Sequence, residues 1–395
     1  MNVGILTTWY WNNYGTVLQA YALQTYLKNE EHIVKFIRYV PGGLNFHEML
    51  TALKKSGRKD GVANTFTKAL SFISNYLDNT LKISISAKHS SKINQYISSF
   101  RSNYLNIDDK LYSSGKELYD YPPEYDVYIA GSDNIWLGVN DNGWDEREYY
   151  PYYLDFVSSE RRKLSYAASM GNPIIPKHHE KRITLLFNNL DYVSVRGKST
   201  ASLLRNQLHC DVIDVLDPTL LLTANDWEAA FPIIREGSSV PYVLVYVIYP
   251  ISLDAPVFQY SNLVAEKLGL KIKYIGFHPN NKKPSYTEAS VDEYLQLFRH
   301  ATLVITDSFH GMLFSIIFRK NFYVFPPRHS ETRITDMLAS IDLSSRYVHT
   351  VKEAESLPIE IDYMIPEQKL NELREFSMTW LDNAINSEKS TEAAS

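Results

Sequence analysis

Two rhythms of apolar residues alternate along this chain. Short runs rich in β-branched and aromatic residues read as strands: Val3 to Leu6, Ile33 to Val40, Tyr125 to Ala130, Tyr192 to Arg196, Tyr242 to Ile248 and Lys271 to Gly276. Between them the spacing turns helical, most clearly over residues 17–27, where Leu18, Ala22, Leu23, Tyr26 and Leu27 share one face. The same criteria predict sheet elements at Tyr152 to Phe156, Lys163 to Ser169 and Val212 to Val215, and helices at 201–207, 291–299, 334–339 and 366–385. Strands that alternate with helices imply an α/β fold built on parallel sheets. The run Tyr242 to Ile248 is apolar throughout, as expected of a central strand covered on both faces.

The strongest local signal runs from Leu303 to Phe325. Leu303, Val304 and Ile305 end a strand, Thr306, Asp307 and Ser308 offer capping oxygens, and from His310 the spacing becomes helical. A strand, a polar tip and a helix start make a natural anion site, because free amides and the positive end of the helix dipole converge there. Other strands end comparably. Val3 to Leu6 leads into Trp9, Trp11, Asn12, Asn13, Tyr14 and Gly15, and Tyr125 to Ala130 leads into Gly131, Ser132, Asp133 and Asn134. Arg196 closes another strand, and the following Gly197-Lys198-Ser199-Thr200 lacks the upstream glycine of a nucleotide phosphate loop. Asp217-Pro218-Thr219 marks a crossing point, dividing the chain into halves at 1–215 and 216–365. The helix at 366–385 is expected to pack back on the first half, and the tail from Asn386 to be disordered.

Composition narrows the functional classes. With 395 residues, 45% hydrophobic and 22% charged, the chain suits two globular cores. A net charge of −5 argues against a nucleic-acid partner. One cysteine, Cys210, excludes an intrachain disulfide and a cysteine cluster for zinc, and no His, Asp and Glu spacing suggests a metal. The start of the chain reads as a strand rather than a leader and no run is long enough to span a membrane, which together point to a cytoplasmic protein. Lys54, Lys55, Arg58, Lys59, Lys82, Lys88, Lys92 and Arg101 give one region a basic bias, read as a solvated face, with peripheral contact to an anionic membrane or lipid-linked substrate as the alternative. The 29 tyrosines and 6 tryptophans include a group at Trp9, Tyr10, Trp11 and Tyr14 that could stack on a sugar or simply pack.

Taken together, Asn13 to Gln24, Ala130 to Trp136, Val193 to Arg196, Asp217-Pro218-Thr219 and Thr306 to Gly311 resemble, in order, the motifs of the polysaccharide pyruvyl transferase family. The resemblance spans about residues 1–340. It implies two Rossmann-like halves in a GT-B-like arrangement, the first on the acceptor side and the second on the donor side. It also implies pyruvyl transfer from phosphoenolpyruvate to a sugar of a surface or exopolysaccharide precursor, usually as a cyclic ketal, with no cofactor or metal. Arg196 matches a donor-binding arginine and His310 the motif histidine, while Ser308 stands where many members carry a further arginine. Arg328 and Arg333 are candidates for that missing charge, alongside Ser308 and Gly311 at the helix start. His310 is the expected general acid/base, with Asp133 or Asp307 orienting it, and Trp9, Asn12, Asn13 and Tyr14 face the acceptor. A sialyltransferase-like GT-B glycosyltransferase using a nucleotide sugar and a non-catalytic saccharide-binding relative are the competing readings.

Overall fold

Eleven parallel strands, divided between two sheets, carry the described chain in the computed structural model, which places residues 1–41, 92–136, 146–171, 175–232, 240–278, 287–327 and 331–387. The first sheet holds β1 (Asn2–Leu6), β2 (Ile33–Tyr39), β3 (Ile107–Tyr112), β4 (Val127–Ala130), β5 (Arg162–Ala168), β6 (Tyr192–Arg196) and β7 (Ile213–Val215), in the order β3-β2-β1-β4-β5-β6-β7. The second holds β8 (Tyr242–Val247), β9 (Lys271–Gly276), β10 (Leu303–Thr306) and β11 (Asn321–Val324), ordered β11-β10-β8-β9. Every residue of β8 is buried, and the strand pairs on one side with β9 and on the other with β10. That is the position its unbroken apolar run demands.

In each sheet the direction of winding reverses once, between β1 and β4 and between β8 and β10. Loops leaving the carboxyl ends of such neighbours diverge and open a crevice, where α/β proteins bind ligands. Thr7 to Asn13 and Gly131 to Asn134 leave the first reversal, and Asp307 to His310 leaves the second.

The helix Tyr14–Asn29 joins the two halves. Ala20, Leu23 and Leu27 pack with Val3, Ile5 and Val34 of the first sheet. Its opposite side sends Tyr14, Val17, Leu18 and Ala22 into the core of the second half, against residues such as Leu313, Phe314 and Tyr294. Tyr14 stacks on Tyr294 at 4.5 Å and donates its hydroxyl to the Ala289 carbonyl. Twelve of the sixteen residues of this helix are buried, so it has no solvated stripe of the usual width. The terminal helix Met364–Asn386 returns to the first sheet, where Leu381, Ala384 and Ile385 pack beside Val3 and Ile5.

Tyr152 to Phe156 is not a strand. Pro151 opens a short 3₁₀ turn over Tyr150–Tyr153, and Leu154 has a left-handed φ of 56°. The aromatic run is nonetheless buried, with Tyr153 stacked on Trp136 at 5.2 Å and the Trp136 indole donating to the Tyr152 carbonyl. Burial without extension imitated a strand pattern, and the proline, which has no N–H for a ladder, was the contrary signal. The basic cluster Lys54, Lys55, Arg58 and Lys59, together with Lys82, Lys88, Arg328 and the tail beyond 387, lies outside the described residues.

Candidate active site

The strand tips of the two sheets meet around four buried polar side chains: Asp133, Arg196, Asp217 and His310. Arg196 arrives on the last residue of β6, and Asp217 follows two residues after β7. Arg196 donates through Nη1 to Asp217 Oδ2, and its Nη2 lies 3.7 Å from Asp133 Oδ1. His310 comes from the other half and places Nε2 3.5 Å from the same Asp217 oxygen. Asp217 therefore links the arginine of the first sheet to the histidine of the second, while its Oδ1 caps the turn Pro218–Leu220 by accepting from Thr219 N.

Asp133 has a second set of partners. Thr16 donates to its Oδ2 at 2.7 Å and Thr8 at 3.4 Å. Its φ of 78° is left-handed, a conformation that Asp tolerates better than most residues, and it is fixed by a bridge to Ala168. Burial alone would raise the carboxyl's affinity for protons; Arg196, then His310, Thr16 and Arg333, outweigh burial and hold it below the usual carboxylate range. Asp217 is held further down, because His310 and Arg196 together overcome its burial. Both groups are carboxylates in this site.

Arg333 enters from the helix Glu331–Ser340 and donates Nη1 to Asn134 Oδ1 at 3.1 Å. The guanidinium groups of Arg196 and Arg333 lie 4.8 and 5.2 Å from the centre of the Phe309 ring. Although Arg333 is only half-buried as a residue, its guanidinium is enclosed, and burial followed by the charge of Arg196 pushes its pKa down from the usual range. Among the described residues, three enclosed guanidinium nitrogens, Arg196 Nε and Nη2 and Arg333 Nε, have no hydrogen-bond acceptor, while His310 Nε2 has its 3.5 Å approach to Asp217 Oδ2. Unpaired buried donors on cations are costly, and an anion bringing several oxygens would satisfy them. A pocket lined by Arg196, Asp217, Phe309 and Arg333 opens beside them.

The histidine owes its place to a glycine on the opposing half. A Cβ on Gly15 would lie 2.1 Å from His310 Nδ1 and 2.5 Å from its Cγ, so the imidazole occupies the space that any other residue would fill. The start of the His310 helix is otherwise self-contained. Ser308 Oγ accepts from Gly311 N at 3.0 Å, and Thr306 Oγ1 accepts from Ser308 N. The Gly311 amide and the Ser308 oxygen thus serve the cap and not an open anion cradle. Asp307 turns elsewhere and accepts from Ile248 N at 3.0 Å; burial raises its pKa to about 7.

The aromatic loop separates into packed and open members. Trp9 is buried, donates its indole N–H to the Ile37 carbonyl and packs in the first core, and Tyr14 is buried against the second half. Asn13 caps the Tyr14–Asn29 helix through Thr16 N, and Arg101 holds the loop through Tyr10 O and Asn12 Oδ1. Trp11, 39% exposed, and Asn12 remain at the surface.

Sequence reasoning brought Asp133, Arg196, Arg333 and His310 forward, and the fold collects them. Asp217 was read as part of a crossing point and a family-like motif without a site role, and Gly15 as a residue of the loop after the first strand. Asp217 carried two usable signals, its place at a strand tip like those of Arg196 and Asp133 and its membership of a family-like motif. Gly15 carried none, since its partner is 295 positions away.

Two parallel-sheet halves joined across a polar crevice define a GT-B-like α/β protein. The chain belongs to the polysaccharide pyruvyl transferase family, whose sequence profile matches residues 13–329, and is thereby a member of a transferase family. Similarity to solved structures is at low sequence identity. A Listeria monocytogenes protein described as a UDP-N-acetylglucosamine 2-epimerase is 9% identical with a TM-score of 0.50, aligning over 100% of this chain and 99% of its own. MnaA of S. aureus, solved with UDP, is 11% identical with a TM-score of 0.49 over 100% and 99% of the two chains. No curated protein matches the chain in sequence.

Proposed function

We propose that the chain transfers the pyruvyl group of phosphoenolpyruvate to a sugar of a polysaccharide precursor, closing a cyclic ketal on two hydroxyls. The observation that carries this reading is the set of three enclosed guanidinium nitrogens without an acceptor, on Arg196 and Arg333, beside His310 at the strand tips of a polysaccharide pyruvyl transferase family member. Arg196 and Arg333 take the phosphate and carboxylate, with Phe309 as the surface between their guanidinium groups.

In the reaction a proton is added to the methylene carbon of the donor, and a sugar hydroxyl attacks the adjacent carbon. The bond from that carbon to the phosphate oxygen breaks, and the second hydroxyl closes the ring. Two hydroxyl protons are released; one balances the proton gained by the methylene carbon and the other leaves with phosphate or solvent. His310, held by Asp217, is the group placed to move these protons. Asp133, fixed by Thr8, Thr16 and Arg196, balances the positive charge and contributes to the order of the site.

The acceptor approaches past Trp11, Asn12 and Asn13, where the aromatic loop is open. No helix among the described residues is long and apolar enough to cross a membrane, so a lipid-linked acceptor would be met peripherally.

Calorimetry with phosphoenolpyruvate on the wild type and on Arg196→Lys tests the donor assignment. Lysine keeps a cation beside Asp133 and Asp217 but loses the planar fork. Saturable binding that weakens at least tenfold in the variant is expected. Binding of a cytidine or uridine sugar nucleotide, with no response to phosphoenolpyruvate, would overturn the reading in favour of glycosyl transfer.

A further inference from the structure

The helix Lys198–Leu208 follows Arg196 directly, yet it provides no cap of its own. Its N-cap position is Gly197, with φ 100° and no side chain to accept the first amides. The missing acceptor comes from the other half of the molecule. Asp336 accepts Ser199 N through Oδ2 and Ser199 Oγ through Oδ1, each at 2.8 Å. A Cβ on Gly197 would come within 3.0 Å of Asp336 Oδ2, and its left-handed backbone would be strained in any other residue, so this position suits both the turn and the incoming carboxylate.

Asp336 stands one helical turn after Arg333 on Glu331–Ser340, and residues three apart project from the same side. Both reach into the first half, Arg333 to Asn134 and Asp336 to Ser199. Beyond the core packing of Ile334, Met337 and Leu338, two polar contacts tie the helix to the first half, and the dipole of the Lys198–Leu208 helix favours the carboxylate at its amino end. Asp336 is absent from the Arg196–Asp217–His310 contacts, and both of its oxygens are engaged by Ser199. Asp336 also lines the pocket beside Arg196, but with both oxygens engaged by Ser199 it acts on the site through the placement of its own helix.

We infer that Asp336 is a positioning residue: by capping the Lys198–Leu208 helix across the two halves, it docks Arg333 beside Arg196 and so completes the anion site. The inference rests on the donor reading for its ligand but not for its geometry. Without the cap, Arg333 keeps its charge and its place in the sequence while its helix loses one of its two polar ties to the first half. Donor affinity then falls although neither arginine has changed, the opposite of what losing a carboxylate from the pocket lining would do directly to an anion.

Two measurements separate this inference from the donor reading. Hydrogen exchange on the ligand-free protein compares wild type with Asp336→Ala. Exchange at least tenfold faster at Ser199 and across 331–340 is expected, and unchanged protection in both segments would overturn the docking role whether or not phosphoenolpyruvate binds. Calorimetry with phosphoenolpyruvate then compares wild type, Asp336→Ala, Arg333→Met and the double variant. A tenfold or greater loss in Asp336→Ala that disappears in the Arg333→Met background is expected, because the carboxylate works through that arginine. Losses that multiply in the double variant would overturn the inference. A wild type that binds no phosphoenolpyruvate would defeat the donor reading alone, and the exchange result would still decide the role of Asp336.

Discussion

Gly15→Ala adds one methyl group at the position where the two halves press closest to the candidate acid/base. The new Cβ would stand 2.1 Å from His310 Nδ1, 2.5 Å from Cγ and 2.8 Å from Cε1, whereas ordinary contacts begin near 3.4 Å. The ring must retreat by about 1.3 Å, enough to spoil a charge-assisted hydrogen bond to the donor, worth about 1.5–3 kcal/mol. That corresponds to roughly 10–100-fold weaker phosphoenolpyruvate binding. Stability changes by a comparable or smaller amount. Overpacking costs about 1–3 kcal/mol, and the better helix propensity of alanine returns up to about 1 kcal/mol. Calorimetry on Gly15→Ala, His310→Ala and the double variant is the assay. Removing the imidazole makes room for the methyl group, so the double variant should bind no more weakly than His310→Ala alone. Wild-type affinity in Gly15→Ala, or additive losses in the double variant, would refute the steric argument.

Asp217→Asn should destabilise the protein by about 3–5 kcal/mol near neutral pH, because it leaves buried Arg196 short of its closest countercharge. The folded pKa of Asp217 is depressed, so this stabilisation is complete above the unfolded value near about 4 and fades as the medium becomes more acid. Urea unfolding at two pH values checks it, and equal midpoints for variant and wild type at pH 7 would count against the ion pair. Asp307→Asn should do the opposite. A carboxyl raised to about 7 by burial favours the folded state only while protonated, so the wild type loses stability between about pH 4 and 7, and the asparagine variant should be ahead by up to about 4 kcal/mol at pH 8. A melting difference that does not change between pH 5 and 8 would show that Asp307 is not the group titrating. Tyr14→Phe removes the hydroxyl bond to Ala289 across the two halves while keeping the stack on Tyr294, and a loss of about 1 kcal/mol is expected by thermal melting. No measurable change would mean that the stacked rings alone hold that contact.

Local periodicity was enough to recognise an α/β chain and place most strands, because a parallel strand buried on both faces must be apolar throughout, as Tyr242–Val247 is. It also located the strand tips that bear Asp133, Arg196 and His310, since capping residues and glycines must stand where a strand gives way to a helix. The same reasoning mistook Tyr152 to Phe156 for a strand, because apolar content reports burial and not extension. What tertiary structure alone decided are the pairings across the halves: Asp217 with His310, Gly15 beneath the imidazole, and Asp336 on Ser199. Each joins residues between 93 and 295 positions apart, and each depends on how two sheets approach one another. No local propensity encodes that approach. It is set by the Tyr14–Asn29 helix, whose two sides belong to two different cores, and by the unpaired donors that the meeting of those cores brings together.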